Sequence, residues 1–223
     1  MATFIPTQAD VFAARRILLD FVPAELAIMI VDFAEYWPQL TSKREALSGA
    51  PSVPGVKRDE EWCYAISAPL PYFPRTITAP RQVKFTLECV AACTYDRVCA
   101  NDTIFNAAIV KSKDLSKNTL YEPLEANPER HVRAATLSDP GRWLVHDVPY
   151  GWAVGSKQEI TWDCTSKESA LLDSLVCGDR VALMVKGMVC RLSFKFITSS
   201  NMYQAPGWMN CIYSVTTEIR YSI

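Results

Sequence analysis

The chain has 223 residues, 49% of them hydrophobic and 21% charged, with a formal net charge of −1. That much apolar material is enough for a sizeable core and excludes a chain that stays disordered. The near-zero charge comes with Lys and Arg scattered and no basic run, which excludes a nucleic-acid or anionic-membrane partner, since either needs a concentrated basic face.

Helical signals are confined to the start. Thr7 precedes a run of helix formers with apolar residues at Val11, Ala14, Leu18 and Phe21. Pro23 then ends that run and suits the first turn of a second helix. The second helix is expected over Ala24–Trp37. Within it Leu26, Met29, Ile30, Phe33 and Trp37 form one apolar stripe, with Glu25, Asp32 and Glu35 mostly off it, and Pro38 terminates it. Such a stripe has two uses: packing on the body of the protein, or presenting Phe33, Tyr36 and Trp37 to a partner helix. Met1–Pro6 has no basic n-region, and charges and a proline break the apolar stretch Ile17–Phe33. The expectation is therefore a cytoplasmic protein without a membrane span.

Residues Ser48–Arg58 read as a linker because Pro and Gly punctuate them, and a second proline-rich stretch follows at Ala68–Pro80. A short strand is predicted between them, at Glu61–Ile66. From Arg81 the period changes to two, with Val83, Phe85 and Leu87 alternating with Lys84, Thr86 and Glu88. Further strands are predicted at Thr103–Lys111, Arg142–Val148, Glu159–Asp163, Arg180–Lys186, Cys190–Thr198 and Cys211–Ile223. Cys177-Gly178-Asp179 marks a tight turn before Val181, and a helical turn is placed at Ser166–Ser174. Without crossover helices these strands fit a mainly β protein: an antiparallel β-sandwich of the jelly-roll or galactose-binding type behind a short helical pair. The implied division is a helical segment at 1–47, a proline-rich linker at 48–80 and the sandwich at 81–223. Most of the eight cysteines stand where small hydrophobes belong, as Cys89 and Cys190 do, and are read as buried reduced thiols.

The segments carry a family resemblance. Ser174-Leu175-Val176-Cys177-Gly178-Asp179-Arg180-Val181-Ala182-Leu183 resembles a motif found in a group of fungal proteins, some of which also carry ankyrin repeats. The same holds for Pro206-Gly207-Trp208-Met209-Asn210 with Ser214-Val215 and Glu218-Ile219 after it. Val22–Leu26 through Asp32–Trp37 is similar to the F-box-like segment of that group. The resemblance covers most of the chain and implies F-box-like helices ahead of a sandwich domain. One loop departs from the pattern. Where such proteins often read Ser-His-Asp-Gln-Gly-Trp, this chain has Ala91-Ala92-Cys93-Thr94-Tyr95-Asp96, which alters any ligand contact that loop carries.

Catalytic signals are sparse. His146 and Asp147 are neighbours, but adjacent strand residues point to opposite faces and do not orient each other. There is no Gly-x-Ser-x-Gly elbow. Cys89, Cys93 and Cys99 supply one half of a zinc pattern without a second half, so no metal and no cofactor is expected. The more informative set is aromatic. Tyr150 and Trp152 follow Pro149, and Trp208 follows Gly207; loop aromatics beside Gly and Pro are favoured in binding sites. Loops gather at the ends of a sandwich, where these three are expected to meet Asn210, Asp147 or Tyr95. The reading is a non-catalytic module binding a small ligand, glycan or protein through its end loops. The glycan option rests on analogy with other sandwiches. The alternatives are a protein–protein adaptor acting through the N-terminal helices, and an enzyme with a motif-free, shape-based cavity.

Overall fold

The computed structural model describes residues 4–51, 62–72, 78–91, 103–111, 132–133, 141–148, 156–187 and 209–223. In chain order the helices are α1 (Gln8–Leu19), α2 (Ala24–Phe33) and α3 (Ser169–Ser174). The strands among these residues are β1 (Gln39–Pro51), β2 (Trp62–Ile66), β3 (Ala79–Ala91), β4 (Thr103–Val110), β5 (Val132–Arg133), β6 (Trp143–Val148), β7 (Ser156–Asp163), β8 (Arg180–Gly187) and β9 (Met209–Ser222). They form a four-stranded sheet in the order β1-β9-β3-β7 and a five-stranded sheet in the order β5-β2-β8-β4-β6. Every pairing is antiparallel. The protein is an antiparallel β-sandwich with a few short helices.

The two inner faces follow from alternation. Val83, Phe85 and Leu87 of β3 and Val215 and Ile219 of β9 face Phe105, Ala107 and Ile109 of β4 and Val181, Leu183 and Val185 of β8, all buried in one cluster. Trp162 of β7 meets Phe85 edge to face, with ring centroids 5.1 Å apart. Cys63, Ala108, Val110, Ala182 and Met184 make a second buried cluster. They alternate with the first set, so the five-stranded sheet is apolar on both faces, which its runs Ala107–Val110 and Val181–Val185 already spell out. The outer face of the other sheet is polar. There Lys84 and Lys157 both pair with Glu159, at 2.8 and 2.9 Å, and the hydrogen bond and charge of Lys84, with those of Lys157, hold the Glu159 carboxyl down to about 2.

Strand β1 was not foreseen. Its inward residues are Leu40, Ser42 and Arg44, opposite Ile219, Thr217 and Val215; with one apolar residue in three, it carries no period-two hydrophobic signal. It is an edge strand, and it closes the sandwich with polar side chains. The Ser42 hydroxyl accepts from the Ala68 N–H at 2.9 Å. The Arg44 Nη1 donates to the Tyr64 carbonyl, and its guanidinium lies over the Tyr64 ring, 4.4 Å from the centroid. Residues 48–51, read as the start of a linker, belong to this strand, and 39–45, placed with the helical segment, pair with β9, with a register shift between Glu45 and Ser48. The predicted Glu61–Ile66 strand is β2, and the predicted Ser166–Ser174 turn is α3. The predicted Cys190–Thr198 strand lies outside the described residues.

Helix α1 begins with a capping box: the Asp10 N–H donates to Thr7 Oγ1 at 3.3 Å and the Thr7 N–H donates to Asp10 Oδ2 at 2.8 Å. Helix α2 stops at Phe33, four residues short of the expected end. Ala34 caps it and Glu35 follows with φ 51°, a left-handed turn that redirects the chain before Trp37. The tight turn at Gly178 is present, with φ 86°. Buried Asp179 fixes that turn: its side chain accepts from Lys111 Nζ at 2.8 Å and from the Val176 N–H at 3.1 Å.

Candidate functional site

Successive strands mostly swap sheets, and this gathers their connections at two ends. At one end lie the turn at Gly178, α3, and the pairs Val110–Arg180 and Gln82–Asp163. At the other lie the pairs Thr103–Val148, Thr103–Gly187, Cys89–Ser156 and Ala91–Asn210. The strand ends that flank 52–61, 92–102, 149–155 and 188–208 all lie there. Asp147, exposed on β6, and Asn210, paired with Ala50 and Ala91 on β9, stand at this end. Tyr95, Tyr150, Trp152 and Trp208 lie outside the described residues, in the connections that start from it. Their arrangement relative to Asp147 and Asn210 is therefore not described.

His146, also on β6, is half-buried; desolvation draws its pKa below the ordinary histidine value, against a smaller upward pull from Asp147. Cys63 is buried, its thiol donates to the Ala65 carbonyl at 3.5 Å, and desolvation pushes its pKa up to about 12. That thiol is inert at neutral pH. Cys164 is exposed and Cys177 half-buried, both free, so the buried-thiol reading fits Cys63 and not Cys164. Among the described residues no cluster of His, Cys, Asp and Glu is placed to hold a metal ion. Nor is any helix among them long and apolar enough to cross a membrane.

The best-defined candidate surface is on the helices. Val11 of α1 and Val31 of α2 are buried in the main core, with Leu18 and Tyr36 packed against it. Ala27 is buried as well. Residues advance about 100° around a helix axis, so with Ala27 and Val31 inward Met29 stands opposite the sandwich, and Phe33 and Leu26 lie to one side of it on the outer half of the helix. The exposures agree: Leu26 47%, Met29 63% and Phe33 94%. The bend between the helices adds Phe21 at 80%. Thus α2 buries a narrow face of Ala and Val and offers its large side chains to solvent. The sequence could not decide this, because Ala24–Phe33 is apolar around nearly its whole circumference.

The three residues expected to meet a partner are separated. Phe33 points outward. Tyr36 and Trp37, beyond the left-handed turn at Glu35, fold back and are half-buried. The Tyr36 ring stacks on Phe4 with centroids 6.1 Å apart, and the Trp37 Nε1–H donates to Asp32 Oδ1 at 2.8 Å. The other carboxylate oxygen of Asp32 accepts from Arg81 Nη2 of β3 at 2.7 Å. Gln8 Nε2 donates to the Tyr221 hydroxyl at 2.5 Å and Arg15 Nη1 to the Ile223 carbonyl at 2.7 Å. The helical pair is thereby fastened to β3 and to the end of β9, with its outer face clear of those contacts.

No protein-family model matches the chain, and no curated protein does. Among solved structures it is similar to a xylan-binding module described as CBM15, at 11% identity. The match covers 79% of this chain and 97% of that one, with a TM-score of 0.25.

Proposed function

We propose that this protein is a non-catalytic recognition module whose helical pair docks on an apolar protein surface. The observation that carries it is the outward stripe Leu26, Met29 and Phe33, continued by Phe21. Monomeric soluble proteins scatter exposed hydrophobes singly; a contiguous set on one helix face marks an interaction site. Anchors at i, i+3 and i+7 are the pattern by which a helix seats against another helix or in a groove. The exposed charges near the stripe are Asp20, Glu25 and Glu35 against Arg16 alone, a balance that opposes an anionic lipid surface. Replacing Leu26, Met29 and Phe33 together with Ser in the full chain should abolish specific partner capture while leaving circular dichroism unchanged. Undiminished capture by that folded variant would remove the proposal.

A second reading is favoured by the eight strand ends that lie at one end of the sandwich, with Asp147 and Asn210 among the residues there. In it Trp152, Trp208, Tyr150 and Tyr95 contribute to a site for a small ligand or glycan. Trp152→Ala with Trp208→Ala should then abolish binding on a glycan and metabolite panel, and the α2 variants should not.

A further inference from the structure

We draw no further inference here: the strongest candidate, the exposed apolar outer face of the α1–α2 helical pair around Met29 and Phe33, belongs to the site already described, and nothing in the structure shows what covers it.

Discussion

At the scale of single residues, Glu35 carries a conformational cost that its side chain does nothing visible to offset. It sits at φ 51° immediately after the cap of α2, where a Cβ crowds the backbone and glycine does not. Glu35→Gly should raise stability by about 0.5–1 kcal/mol, read as a higher denaturant midpoint with unchanged slope; a lower midpoint would contradict the assignment. His146 supplies the pH dependence. Its folded pKa lies below the ordinary histidine value because burial disfavours the imidazolium. The unfolded chain therefore takes up the proton first. The stability linked to this group is complete above the unfolded value and is lost as pH falls toward the folded one. The midpoint should fall as the pH drops below the ordinary histidine value, and His146→Gln should flatten that part of the profile. An unaltered slope in the variant would assign it elsewhere.

At the scale of elements, α2 and β1 both invert the usual expectation that large apolar side chains face inward and polar ones outward. In α2 the inward positions are Ala27 and Val31, which let the helix lie close to the sandwich, and the bulk is outside. Ala27→Leu should therefore overpack the contact and cost about 1–3 kcal/mol. Met29→Ser, on the same helix, should change the midpoint of the fold by less than about 0.5 kcal/mol. Equal costs at the two positions would show that the faces are assigned wrongly. In β1 the inversion is electrostatic. Ser42 and Arg44 face inward because the edge of β2 leaves the Ala68 N–H and the Tyr64 carbonyl to be satisfied, and a guanidinium over an aromatic ring is a stable way to do it.

At the scale of the whole molecule, the helical pair is part of the sandwich's core and not a detachable appendage. Val11 and Val31 are buried with Phe85 and Ile219 in one cluster, and polar contacts to Tyr221, Ile223 and Arg81 hold the pair in place. Removing residues 1–38 should expose the apolar surface those valines cover, lowering the thermal midpoint and raising binding of a hydrophobic dye. A truncated chain with an unchanged midpoint would make the helices independent of the sandwich. This placement also bears on recognition. The stripe proposed for docking is mounted on a helix anchored at its inner face, and such preorganisation would reduce the ordering cost of association.

The alternation of Val83, Phe85 and Leu87, the buried runs Ala107–Val110 and Val181–Val185, the turn at Gly178 and the Thr7 cap were legible in the sequence. Each depends on a local period or a single residue's conformational preference, which neighbouring residues suffice to express. Three things were decided only in the tertiary structure. The strand β1 exists because β9 offers it a ladder, and its own residues carry almost no apolar period. Which side of α2 is buried was settled by the close approach of Ala27 and Val31 to the sandwich, since a helix apolar all round has no preferred face of its own. The parting of Phe33 from Tyr36 and Trp37 came from the left-handed turn at Glu35, with Trp37 drawn to Asp32 and Asp32 to Arg81. That chain of contacts joins residues distant in sequence, and no local pattern encodes it.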